Sequence, residues 1–396
     1  MFIFVEGVKT QRLLSVTHGT GNVTTVAGIL KSVGYSGDGG VATSAKLNEP
    51  KGVAVDAAGT IYIADAGSHV IRMLNVDTNI ISTLAGTGSG GYSGDGGVAT
   101  STMLNYPYGV AIDAAGNIYI ADYNNDAIRM VTKSTGIITT AAGTGAFGYS
   151  GDGGVATAAK VRSPRGVAID AAGNIYIADT FNSVIRLVTK STGIITTLAG
   201  TGSGGYTGDG GLATAAKMNS PSGVAIDTAG NIYIADSSNA KVRLVTKSTG
   251  IITAFATDVN ACGIALDIKG HIYMACPYDS IIQLIALTAP TSTPTATPTL
   301  SPASTSTPSL NPTYTPTITP TATPTKAPTT TPTATPTYTP TMTPTKAPTY
   351  IATATPIFAS TKTSAATPKT APNLLAYLLI SPFICFIGQL LFYSSW

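Results

Sequence analysis

Reactive side chains are scarce in this chain. Three histidines, three cysteines and one tryptophan are spread over 396 residues. So few cysteines exclude a small disulfide-dense scaffold. His18, His69 and His271 fall at three different places in the pattern described below, so they do not converge on one metal. Charge is scarce as well, at 10% of residues. All 19 acidic residues and 18 of the 22 basic ones lie before position 289, which leaves that part at −1. The formal +3 comes from Lys326, Lys346, Lys362 and Lys369 in the tail. Without a clustered positive field nothing grips a phosphate backbone, which argues against nucleic-acid binding. No G-x-S-x-G, H-E-x-x-H or phosphate-binding loop is present. The N-terminus, MFIFVEGVKTQ, has no charged lead and an apolar run of only five residues, so no secretory signal is read there.

What the chain has is repetition. Gly52-Val-Ala-Val-Asp56 returns as Gly109-Val-Ala-Ile-Asp113, Gly166-Val-Ala-Ile-Asp170 and Gly223-Val-Ala-Ile-Asp227, each 57 residues on. A fifth copy, Gly263-Ile-Ala-Leu-Asp267, follows after only 40. Each leads into a second apolar run (Ile61 to Asp65, Ile118 to Asp122, Ile175 to Asp179, Ile232 to Asp236, Ile272 to Cys276). A third carries Arg72, Arg129, Arg186 and Arg243 in register, with Gln283 in the fifth copy, and a fourth closes the unit. The runs are too short for helices and rich in Val, Ile, Tyr and Thr. The Asp113–Asn117 turn between them is D-A-A-G-N, where Asp bonds its own backbone and Gly supplies positive φ. Four short antiparallel strands per repeat predict an all-β propeller, each sheet covered by its neighbours. The rest of the period is a Gly-rich insertion around Asp38, Asp95, Asp152 and Asp209. Each copy runs on into a stretch, such as Val98–Met103, long enough for one helical turn.

These repeats resemble the NHL family, and the long insertion resembles its teneurin variety. The family core, P-x-G-h-A-h-D, G-N-h-Y-h-A-D and N-x-x-h-R with h apolar, is matched by Pro107 to Asp113, Gly116 to Asp122 and Asn125 to Arg129. The resemblance covers roughly residues 1–288 and implies the propeller fold. It implies no single function, because the repeat serves enzymes, sensors and adhesion proteins alike. One NHL-like propeller, the peptide-amidating lyase, holds zinc on histidines, and no matching motif occurs here.

Laid over a full unit, Ile3-Phe-Val5 aligns with the second strand, Arg12-Leu-Leu with the third and Asn22 to Val26 with the fourth. The expectation is about six blades, the first lacking its first strand and the last, 263–288, lacking its fourth. The alternative is five, with Val23–Ala27 closing the last blade. A reading of the gene truncated upstream would account for both the partial first blade and the absent signal. Residues 289–373 form a Thr/Pro-rich low-complexity stalk that biases to polyproline II. Residues 374–396 are a hydrophobic segment; its twenty uncharged residues, Leu374–Tyr393, would span ~30 Å as a helix, enough to cross a bilayer. It reads as a transmembrane helix or a GPI-attachment signal, placing the propeller outside the cell. A tail anchor with a cytosolic propeller is the alternative, since Lys362 and Lys369 flank it.

No catalytic, cofactor or metal residues are expected. Asp38, Asp95, Asp152 and Asp209 offer one carboxylate per loop, which suits turn formation better than a calcium cage. Asp65, Asp122, Asp179 and Asp236 are expected to pair with the blade arginines or to bond a turn. Cys262 and Cys276 lie equidistant from Lys269, so a three-residue hairpin loop would set them opposite as a candidate cross-strand disulfide, with two buried thiols as the alternative. Asn22-Val-Thr24 is the one N-glycosylation sequon. Lys51, Tyr108, Arg165 and Ser222 vary at equivalent positions between Pro and Gly, near one rim of the channel, and are the candidate binding residues. The expected function is a non-enzymatic, membrane-tethered propeller recognising a protein or glycan ligand. The alternatives are a metal-dependent propeller lyase or hydrolase, and a truncated repeat protein without activity.

Overall fold

The computed structural model describes residues 2–6, 10–16, 22–267, 270–276, 281–285 and 354–356. All of them belong to the first of two compact units, Met1–Leu287 with Ala352–Trp396; the second is Thr288–Ile351. The stalk apart from Ala354–Pro356, and the hydrophobic segment 374–396, lie outside the described residues. Among the described residues no helix is long and apolar enough to cross a membrane.

The strands form six antiparallel sheets in chain order, which confirms the propeller. Sheet I has three strands, Phe2–Glu6, Arg12–Val16 and Val23–Ala27. Val23–Ala27 therefore pairs inside sheet I, on Arg12–Val16. Sheet II runs from Pro50–Val55 through Ile61–Asp65 and Val70–Asn75 to Ile80–Ala85, with Gly40–Val41 added outside. Sheet III is Pro107–Ile112, Ile118–Asp122, Ala127–Val131 and Ile138–Ala142. Sheet IV is Gly166–Ile169, Ile175–Asp179, Val184–Thr189 and Ile194–Ala199. Sheet V is Pro221–Ile226, Ile232–Asp236, Lys241–Val245 and Ile252–Thr257. Sheet VI is Gly263–Leu266, Ile272–Cys276 and Ile281–Ile285. Its fourth strand, expected to be missing, is supplied by Ala354–Pro356 on the Ile281–Ile285 edge.

Period-two alternation gives each sheet a small face and a large one. Ala54, Tyr62, Ala64 and Ile71 of sheet II meet Val110, Ile112, Ile118 and Ile120 of sheet III in one buried cluster. The next interface repeats the arrangement, with Ala111, Tyr119 and Ala121 against Val167, Ile169 and Ile177. Alanine facing isoleucine lets twisted sheets approach without voids. The insertions complete these interfaces. Ala42, Ala45 and Leu47 wedge between sheets I and II, and Ala99 with Leu104 does so between II and III. The helical turn expected in each insertion is a single 3₁₀ turn, Ala99–Ser101 in the second copy. The Asp113 turn forms as expected: Oδ1 accepts Ala115 N–H and Asn117 N–H, each at 2.9 Å, and Gly116 adopts φ 82°.

Candidate binding face

The first strands of sheets II to VI line a channel of about 490 Å³. At one end the strands crowd together through glycine. A Cβ on Gly109 would sit 2.4 Å from Arg165 O, and one on Gly52 2.5 Å from Tyr108 O. The carbonyls met there belong to the variable residues, so the crowding sets those positions side by side. At the other end each strand finishes in its Asp turn. Lys133 Nζ reaches back to Asp56 at 3.5 Å and Lys190 Nζ to Asp113 at 3.9 Å, linking successive sheets.

Behind the channel each long repeat holds a fully buried arginine between two carboxylates. Arg129 lies 2.7 Å from Asp95 of the insertion and 3.5 Å from Asp122 of the second strand. Its guanidinium stacks 4.9 Å from the Tyr92 ring and donates to Ser93 O at 3.1 Å. Arg72, Arg186 and Arg243 repeat this with Asp38, Asp152 and Asp209 and with Tyr35, Tyr149 and Tyr206. The expected strand-level pairs are present, at 3.9 Å for Arg72 with Asp65 and 3.5 Å for Arg186 with Asp179 and Arg243 with Asp236. Burial pushes Asp65, Asp122 and Asp179 up to about 7, against the donors and guanidinium that pull them down. The pairing of the insertion Asp with the arginine was not foreseen, although their spacing of 34 residues is constant. Sheet VI is preceded by no insertion, and the register puts Gln283 at the arginine position there.

On the glycine end the variable residues gather into a ladder of cations and rings. Lys51 Nζ lies 5.7 Å from the Tyr106 ring and 5.8 Å from that of Tyr108. Arg165 stacks on Tyr108 at 5.2 Å, Tyr123 at 5.5 Å and Phe181 at 5.9 Å. Arg162 lies 5.7 Å from the Phe181 ring and 5.9 Å from that of Phe147. Lys51 pairs with Glu49 at 3.5 Å, and the Tyr106 hydroxyl donates to Glu49. The 3₁₀ turns Tyr123–Asn125 and Thr180–Asn182, after the second strands of sheets III and IV, present Tyr123 and Phe181. Of the four variable positions, three join this ladder. Ser222 does not; it bonds Ser237 and donates to Cys262 O at 2.7 Å. Lys51 (7% exposed), Tyr108 (8%) and Ser222 (0%) are buried, so the outward surface belongs to Phe147, Phe181 and Arg162. These three were not singled out, because only the fold sets them beside the variable residues.

Residues 8–93, 88–150, 145–206 and 202–263 match the family model described as the teneurin NHL domain. The chain belongs to the teneurin NHL family. It is 30% identical to mouse teneurin-1 over 240 residues, 54% of this chain and 8% of the relative. Mouse teneurin-4 is 34% identical over 238 residues, with the same shares. The Arabidopsis thaliana protein Suppressor of Quenching 1, chloroplastic, is 28% identical over 259 residues, 63% of this chain and 24% of that one. The match thus spans less than a tenth of the teneurins. A streptogramin B lyase structure is similar over 72% of this chain and 75% of its own, at 16% identity and a TM-score of 0.45; likeness of that degree carries no statement about activity.

Several remaining residues of this NHL chain take clear places. His69 Nδ1 accepts Tyr106 N–H at 3.0 Å, and Asp126 accepts Ser163 N–H at 2.7 Å in the next repeat. His271 bonds Asp267 at 2.6 Å within its turn, while His18 lies outside the described residues. Among the described residues no three His, Cys, Asp or Glu side chains cluster as metal ligands. The register of the first two strands of sheet VI ends at Gly263↔Ala275, where Cys262 N–H donates to Ala275 O at 2.8 Å, and the Cys276 side chain lies outside the described residues. Asn22 is exposed beside the outermost strand of sheet I.

Proposed function

We propose that the chain is a non-enzymatic recognition module whose ligand, a protein or a glycan, docks on the ladder face of sheets II to IV. The propeller is carried on the 289–373 stalk and tethered through 374–396 on the outer side of a membrane. The observation that carries the reading is the ladder itself. Five rings and three cations from sheets II to IV and their loops are held by packing and cation–ring contacts, which pre-organises them for contact, and the outer members remain exposed. Aromatic and arginine side chains are the types that dominate binding energy at interfaces. Around the ladder Glu49 is bonded to Lys51 and Tyr106, and Asp126 accepts Ser163 N–H.

The test uses epitope-tagged full-length chain on intact cells, with and without phosphatidylinositol-specific phospholipase. Surface staining is expected, and cells displaying the chain are expected to bind cells that Tyr123→Ala and Phe181→Ala displays do not. Stoichiometric zinc in the isolated chain, together with turnover of a lactone or peptide substrate, would overturn the reading in favour of a propeller lyase or hydrolase.

A further inference from the structure

The outer end of the ladder has a chemistry more specific than a general docking surface. Phe147 is 71% exposed and Phe181 47%, and they come from different loops, the insertion before sheet IV and the turn after its second strand. Phe147 stands where the other long insertions carry Val33, Gly90 and Gly204, so this ring is particular to one repeat. The Arg162 guanidinium carbon lies 5.9 Å from the Phe147 ring centroid and 5.7 Å from that of Phe181. A guanidinium held over ring faces uses no N–H donor on them, so its planar fork can take a carboxylate in two parallel bonds. The acidic neighbour of Arg162, Asp126, is committed to Ser163 N–H at 2.7 Å, and no ion pair of Arg162 forms among the described residues. Counting the ladder with these neighbours, Lys51, Arg162 and Arg165 face Glu49 and Asp126, an excess of one positive charge.

The surroundings bound the size of what fits. In sheet V the ladder positions become Gly204, Ser220, Ser222 and Ser238, so the aromatic wall ends at Phe181 and steps down to an exposed serine, Ser238. The inner members, Lys51 and Tyr108, are buried, so only a few side chains face outward. A standard protein interface takes about 20–30 residues a side. A pyranose carrying a carboxylate needs far less: an apolar ring face for its C–H groups, a guanidinium edge for the anion and small hydroxyls for the rest.

We propose that this corner of the propeller binds a carboxylated saccharide, with the carboxylate on the Arg162 edge and the sugar face on Phe181, flanked by Phe147. The proposal rests on the recognition reading above and supplies the ligand's chemistry. Arg162 is the specificity-determining residue and Phe181 the platform.

The experiment titrates purified full-length chain with 3′-sialyllactose and with lactose, and repeats the cell-binding assay before and after sialidase treatment of the partner cells. Sialyllactose is expected to bind at least tenfold more tightly than lactose. Arg162→Ala and Phe181→Ala are each expected to weaken it about tenfold without lowering the melting temperature, Arg162→Lys is expected to recover part of the loss, and rising salt is expected to weaken it further. Equal binding of the two sugars, or no binding of either, overturns the saccharide. If Phe181→Ala still abolishes cell binding while sialidase has no effect, the face recognises a protein: this proposal fails and the recognition reading stands. If both variants bind cells as the unaltered chain does, the recognition reading fails with it.

Discussion

The buried arginines are the residues on which most depends. A guanidinium removed from water costs several kcal/mol, and in sheets II to V that cost is met by two carboxylates, a tyrosine face and backbone carbonyls. Removing one member leaves the others uncompensated. Arg129→Met is expected to destabilise the chain by about 3–5 kcal/mol at pH 8. Asp122, which burial already raises to about 7, then loses its cation and keeps only the Asn105 and Asn125 donors, so the penalty is expected to shrink at pH 5, where Asp122 is protonated. Chemical denaturation at the two pH values reads this out, and an equal cost at both would show that Asp122 does not depend on Arg129. His69 offers an opposite dependence. Burial lowers it from 6.5, and its Nδ1 accepts Tyr106 N–H, so the folded chain keeps it neutral. As pH falls through 6.5 the unfolded chain takes up the proton first, so the stability His69 contributes is present above that pH and lost below it. His69→Asn keeps an acceptor and tolerates the residue's left-handed φ of 58°. It is expected to remove the step near pH 6.5 from the melting temperature of the full chain; a step that survives belongs to other groups.

The sheets themselves were legible from the sequence because period two and turn chemistry both operate within a dozen residues. Asp113 bonding its own turn and Gly116 at φ 82° are local events, and they fall where the pattern sets them. The insertion was legible as a unit but not in its role. Asp95 looks like a turn residue until the fold lays its loop against Arg129, although the last repeat drops both the insertion and the arginine, a coupled loss visible in the sequence. The ladder was half legible. Repeat alignment finds Lys51, Tyr108 and Arg165, while Tyr123 joins them across sheets III and IV, and Phe181, Arg162 and Phe147 join through the folding of the sheet IV insertion against its own turn. The element that enforces those contacts is the glycine crowding. Gly109→Ala would drive a Cβ to 2.4 Å from Arg165 O, backbone that cannot swing aside, and the first strands of sheets III and IV must part. A cost of about 1–3 kcal/mol is expected. Because Arg165 is displaced with its carbonyl, tyrosine fluorescence of the native state is expected to change as well; a melt and spectrum like those of the unaltered chain would show that the strands have room to spare.

Across the whole molecule the sheets cover one another in series, each interface filled by alanine on one side and isoleucine on the other. Stability in such an array is close to a sum of units and neighbour terms, so damage at one end stays near that end. Sheet VI tests this directly, because its outer strand, Ala354–Pro356, comes from within the Thr/Pro-rich stretch, about 70 residues along the chain from Ile285. A chain ending at Leu287 lacks that strand and exposes the backbone edge of Ile281–Ile285. Hydrogen exchange is expected to speed up at Ile281–Ile285, and to a lesser degree at Ile272–Cys276. The amides of sheets II to IV, with the buried arginines and the ladder, are expected to keep the protection they have in the full chain. A loss of about 1 kcal/mol on the sheet VI side would lower the melting temperature by about 2–4 °C, small against the whole transition. If the shortened chain instead loses protection in every sheet, the units are not coupled only to their neighbours. Recognition at the ladder would then depend on how sheet VI is finished, two sheets away from sheet IV, whose loops carry Phe147, Arg162 and Phe181.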